Sequence, residues 1–210
     1  MEQQLRGYFG NLVCSVVLKP FATKLFALAV LLFMSSILVG CAGVNYAGRG
    51  ERGQGDSTAL TGYQERLGSL EQALIALSPE IDKREAEKLA ETAISYSIEL
   101  AGEYRAVRPA ILLNLLVNLG FRERGLCIHW TEDLLKRLQS LGLKSLELHW
   151  GIANNNVLLR LEHSSVIITA RGQSFESGLV LDPWRHSGEL YWTLVRDDIY
   201  PWKPEQDVIR

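Results

Sequence analysis

Residues 145–195 read SLELHWGIANNNVLLRLEHSSVIITARGQSFESGLVLDPWRHSGELYWTLV. Four apolar segments stand out within them: Ser145 to Ala153, Val157 to Ala170, Leu179 to Asp182 and Leu190 to Val195. Asn154-Asn155-Asn156 and the stretch from Gly172 to Gly178 supply turn chemistry between them. Strands that follow one another through turn-length links pair antiparallel, so this half of the chain predicts an antiparallel sheet.

Upstream, the period changes from strand to helix. Leu134, Leu135, Leu138 and Leu141 make a stripe over about Leu126 to Leu141, closed by Gly142. Leu67, Leu70, Leu74 and Leu77 recur at helical spacing within a helical region that runs from about Tyr63 to Leu119. Ser78-Pro79-Glu80 reads as a cap with proline at the first helical position, opening a second helix that carries Ile81, Leu89, Ala93 and Tyr96 toward Glu103. Pro109 opens a third, very apolar helix from Ala110 to Leu119, closed by Gly120. Asn114 and Asn118 lie one turn apart on it and read first as a buried polar pair or a helix-end contact. Helices gathered on an antiparallel sheet define an α+β domain over residues 58–210, with a helical part at 58–119 and a core at 120–203.

The first 57 residues read differently. Lys19 and Lys24 precede the uncharged apolar run Leu25 to Gly40, which ends in Leu38-Val39-Gly40-Cys41. The run is short for a bilayer span and is followed at once by small residues, so residues 1–40 read as a secretory signal. The tetrapeptide resembles the lipobox of bacterial lipoproteins. That resemblance implies lipidation of Cys41 with acyl chains such as palmitate and a membrane partner reached through that lipid. Ala42, where an aspartate commonly retains such proteins at the inner membrane, leans toward the outer membrane of a Gram-negative envelope. Residues 41–57 hold five glycines and little to bury, the composition of a tether.

Under this reading Cys14 leaves with the signal and Cys41 carries lipid, so Cys127 is the one free thiol of an exported chain. Such chains live where disulfides form, and a thiol that persists there suggests burial or chemistry. The formal charge of −2, with no basic block, argues against a nucleic-acid partner.

Cys127, His163 and Asp182 follow in the order of a thiol-based acyl-transfer set. Gly125-Leu126-Cys127 falls where a helix should start, near free N–H groups and the positive end of the helix dipole, a setting that favours thiolate. His163 lies in Leu161-Glu162-His163-Ser164-Ser165-Val166, and Asp182 ends an apolar run before Pro183. Each has a plainer reading alone: a core cysteine, a surface histidine, an aspartate in a turn. Together, the Gly-Leu-Cys helix start, His163 followed by Val166-Ile167-Ile168, and Leu181-Asp182-Pro183-Trp184 resemble the transglutaminase-like cysteine proteinases of the papain-like group. The resemblance covers roughly Leu119 to Trp202 and implies a papain-like core.

It implies further that Cys127 is nucleophile, His163 base and Asp182 its orienter, acting on peptide or isopeptide bonds through a thioester, without a cofactor. Peptides, envelope proteins and peptidoglycan stem peptides are the expected substrates. The N–H of Cys127 is the expected oxyanion donor, with Asn118 a possible second. Trp184 is placed to shield the triad, while Trp130 or Trp150 could line a groove, although core packing explains most tryptophans. His129 follows Cys127 by two residues, yet no second pair at zinc-like spacing accompanies it, and His149 and His186 stand alone. No metal is expected, and His129 is expected to line the groove or the surface. The alternative is a non-catalytic envelope lipoprotein that uses the same fold to bind a partner through its first helices.

Overall fold

A computed structural model of the chain describes residues 55–155 and 161–207. The signal region 1–40, Cys41, the tether as far as residue 54 and the expected strand start at Val157 lie outside them. Among the described residues no helix is long and apolar enough to cross a membrane.

Among the described residues, four α-helices and a five-stranded antiparallel sheet make an α+β domain. Helix α1 spans Gly55–Ile75 and is longer than its leucine stripe indicated, since residues 55–57 belong to it rather than to a tether. Leu70 and Leu74 are wholly buried, with Tyr63 and Leu67 packed beside them.

Helix α2, Lys83–Glu103, begins later than Ser78-Pro79-Glu80 suggested. The Ser78 hydroxyl accepts from the Glu80 N–H (3.2 Å) in a separate turn. The cap is Asp82, whose carboxylate accepts from the N–H groups of Arg84 (2.8 Å) and Glu85 (3.4 Å). A charged acceptor facing two free helix N–H groups outcompetes a hydroxyl. Glu85 in turn accepts from the N–H groups of Lys144 (2.7 Å) and Ser145 (2.8 Å) and from the Ser145 hydroxyl (2.7 Å), which pins α2 to the sheet.

Helix α3 runs Ala110–Asn118 behind Pro109, and Gly120 follows it with φ +77°. Helix α4, Cys127–Gln139, buries Trp130, Thr131, Leu134 and Leu138 on one side.

The strands are β1 (Leu146–Ala153), β2 (His163–Ala170), β3 (Leu179–Asp182), β4 (Tyr191–Leu194) and β5 (Lys203–Pro204). Their order across the sheet is β4-β3-β2-β1-β5. β1 and β2 pair from Leu146↔Ala170 to Ala153↔His163. Alternation along β2 splits the core in two. Val166, Ile168 and Ala170 join Leu146, Leu179 and Leu181 beneath the helices, with Leu70, Leu89, Leu134 and Leu138. Ile167 faces the other way and joins Ala153, Phe175, Val180, Val195 and Trp202. A central strand covered on both faces explains why every residue of β2 is buried, His163, Ser164, Ser165 and Thr169 included.

Candidate active site

The start of α4 is built around a glycine. Gly125 has φ +138°, and a Cβ there would meet Leu113 of α3 at 2.7 Å, so only glycine fits. The indole N–H of Trp130 donates back to the Gly125 carbonyl (3.0 Å). His129 Nδ1 accepts from the N–H groups of Gly125 (3.1 Å) and Leu126 (3.3 Å). Burial and the neighbouring Arg124 lower the His129 pKa, which keeps the ring a neutral acceptor. His129 therefore caps the start of the helix while it stays half-buried. Trp130 does not line a groove: it is wholly buried, edge-on to Tyr104 at 4.8 Å between centroids, because it extends the buried stripe of Leu134 and Leu138 by one turn.

Cys127 is the first residue of α4 and is half-buried. Its sulfur lies 3.8 Å from the carbonyl oxygen of Glu162, directly before β2. His163 opens β2 and Asp182 closes β3. The pairing Val166↔Leu181, continued one step, sets Asp182 across from Ser165, so Asp182 and His163 are diagonal neighbours on one face.

His163 Nε2 and Asp182 Oδ2 are 2.6 Å apart, and both side chains are shut off from solvent. The other ring nitrogen, Nδ1, is buried without a hydrogen-bond partner. Burial alone would lower the His163 pKa, but the bond and charge of Asp182, with the adjacent Cys127 thiol, raise it to about 9. For Asp182 burial pushes upward, and His163 and Arg185 hold it below the ordinary carboxylate value.

The cluster extends past the three expected residues. Arg185 Nε donates to Asp182 Oδ2 (3.0 Å) and its backbone N–H to Oδ1 (3.1 Å). The same guanidinium forks onto Asp198 at 3.0 and 2.8 Å. It lies over the ring of Tyr191 at 4.1 Å and nearer the edge of its reach to Tyr200 at 5.0 Å. Asp198 also accepts from the Trp202 indole (2.9 Å). Trp202 then returns to His163, whose ring packs among Trp184 (4.7 Å), Tyr200 (4.7 Å) and Trp202 (5.3 Å). The ring of contacts closes on the imidazole.

Trp184, the expected shield, is held in place by Asn114, whose side-chain oxygen accepts its indole N–H at 2.9 Å. The two asparagines do not form a buried pair. Asn114 turns inward, while Asn118 ends α3 in solvent, where nothing joins it to the thiol. Trp150 is half-buried on β1 with an unpartnered indole nitrogen, one residue from Gly151, whose Cα packs toward Ile167 and Trp202. His149 bonds Thr169 (2.8 Å) and His186 stacks on Tyr191. Among the described residues no group of three His, Cys, Asp or Glu could hold a metal. Two clefts of about 500 and 410 Å³ lie around Ser145, Leu146 and Arg171 at the other end of β1 and β2, and none of the three expected catalytic residues lines them.

No protein-family model matches the chain, and neither a curated protein nor a solved structure is significantly similar to it. Function must therefore be argued from the cluster's own chemistry.

Two outcomes follow from this electrostatics. The folded-state pKa of His163 stands above its unfolded value of 6.5, so the imidazolium stabilises the fold fully below that pH and the contribution disappears as pH rises through about 9. Urea unfolding followed from pH 6 to 10 should show that decline, and Asp182→Asn should flatten it. Arg185→Met takes from Asp182 one of its two cations and leaves the buried Asp198 with only the Trp202 indole among its side-chain partners. It should cost about 3 kcal/mol in chemical denaturation, and Asp198→Asn should cost less.

Proposed function

We propose that the chain is an exported, lipid-anchored cysteine hydrolase or acyltransferase with a transglutaminase-like, papain-type core, acting on amide bonds of peptides or envelope proteins. One observation carries the reading. His163 has one nitrogen fixed by a buried carboxylate, while the other is buried and unpartnered beside the only thiol of the described chain. A structural histidine in so dry a place would normally satisfy both nitrogens.

In the mechanism, His163 Nδ1 takes the Cys127 proton to give thiolate and imidazolium, with Asp182 holding Nε2 and balancing the new positive charge. The sulfur attacks the substrate carbonyl, forming a carbon–sulfur bond as the carbonyl electrons move to oxygen. His129 occupies the N–H groups of Gly125 and Leu126, which leaves the N–H of Cys127 itself as the oxyanion donor at the helix start. The tetrahedral adduct collapses, the carbon–nitrogen bond breaks, and His163 gives its proton to the leaving amine. Water or a second amine, deprotonated by His163, then attacks the thioester. An acid or a new amide leaves, and the thiol is restored.

Alkylation of Cys127 by iodoacetamide, followed by mass mapping across pH, tests the pair. The wild type should still react well below pH 7, and His163→Ala should lose that reactivity. A pH profile of labelling that is unchanged in His163→Ala would leave the chain as a non-catalytic envelope lipoprotein of the same fold. The anchor is tested separately: Cys41→Ser should abolish palmitate incorporation and leave the chain unprocessed at the signal, as followed by intact mass in a bacterial host.

A further inference from the structure

Helix α3 is secured on one side and apolar on the other. It buries Ala110, Leu113 and Asn114 and turns Ile111 (56% exposed), Leu112 (40%), Leu115 (51%) and Leu119 (60%) to solvent, with Phe121 (65%) just beyond. Scattered exposed leucines need no explanation, but five large apolar side chains within eleven residues mark a contact surface.

Charge narrows the occupant. From Tyr104 to Arg122 the chain carries Arg105, Arg108 and Arg122 and no carboxylate, although its total charge is −2. Arg108 pairs with Glu189 (3.0 Å). Arg122 spends one N–H on the Phe121 carbonyl (2.9 Å), and neither it nor Arg105 meets a carboxylate among the described residues. The stripe thus has arginines at both ends, three against the two carboxylates Glu103 and Glu123 that bound the segment. Against α3 of a second copy, parallel or antiparallel, arginine ends would meet arginine ends. A layer of anionic phospholipid accepts both features, taking the leucine face into the acyl boundary and the arginines at its headgroups.

We propose that α3 and Phe121 form a docking face for an anionic lipid surface. Gly125 closes against Leu113 on the buried side of the same helix, so the exposed face is turned away from that contact. This holds whether or not Cys127 is a nucleophile.

The test uses the full chain reconstituted in vesicles containing phosphatidylglycerol, with a photoactivatable phosphatidylglycerol as probe and mass mapping of the labelled peptides. Residues 110–121 should be labelled. Leu115→Glu/Leu119→Glu should reduce that labelling about tenfold, and Arg105→Gln/Arg122→Gln several-fold. The glutamate variants alter exposed positions, and an unchanged melting temperature confirms that the fold survives. Labelling confined to residues 1–54, or labelling of 110–121 indifferent to both pairs of substitutions, overturns the proposal. So does disulfide trapping between two copies at Leu115→Cys in the same vesicles, which would assign the face to a second chain.

Discussion

A carboxylate sealed from water stays ionised only where positive charge is fixed around it, and Asp182 is such a carboxylate. Its two oxygens take His163, the Arg185 side chain and the Arg185 backbone N–H, and Asp198 is needed to hold that arginine by both of its terminal nitrogens. With Asp182 and Asp198 ionised and Arg185 charged, the cluster carries one unbalanced negative charge until His163 is protonated. That balance is the physical reason its pKa rises despite burial. The aromatic rings around His163 leave little room for water to supply the proton, whereas the Cys127 thiol stands next to the imidazole. Under the proposed mechanism, transfer from sulfur to Nδ1 would neutralise the buried cluster and move the negative charge to the half-buried thiolate.

The thiol's side of this arrangement has stiffness of another kind. Tyr104, at the end of α2, donates to Asp133 of α4 and lies 3.2 Å from the His129 carbonyl, while Arg124 reaches Asp133 at 2.8 Å. Trp130 ties α4 to Gly125, and Gly125 fits against Leu113 of α3. Two neighbouring helices and the loop residue Arg124 therefore hold the start of α4, where a thiol gains from the helix dipole only if it keeps its place.

Much of this architecture was legible in the chain, and what was not shares a cause. The sheet followed from consecutive apolar segments with turn residues between them, and α4 from its leucine stripe. Trp130 was legible as core: it precedes Leu134 and Leu138 at four-residue intervals, and the groove role was only its alternative. The histidine cap was within local reach as well, since His129 bonds residues three and four before it. Arg185 and Asp198 were not. Pro183-Trp184-Arg185-His186-Ser187-Gly188 has the composition of a surface turn, and only tertiary contact with Asp198 and two tyrosines reveals a buried guanidinium. Strand β5 escaped for a plainer reason. Two residues, one of them proline, carry no period and pair only at the sheet edge.

The convergence of the three expected residues is less of a coincidence than their separation in sequence suggests. Antiparallel pairing sets the end of β3 beside the start of β2, so an aspartate at one and a histidine at the other become neighbours by register. Helix α4 begins at the Glu162 carbonyl, and its end, around Leu138 and Gln139, shares a cleft with Leu146, the partner of Ala170. It is thus laid along β2 with the same polarity. At 13 residues it is about 20 Å long, against about 26 Å for the eight residues of β2. A helix of that length can cover the strand in only two directions. In the opposite one, the thiol and the free N–H groups would sit at Ala170, beside Glu85, whose carboxylate already serves Lys144 and Ser145. The direction of one amphipathic helix on one strand therefore determines whether these side chains can react at all.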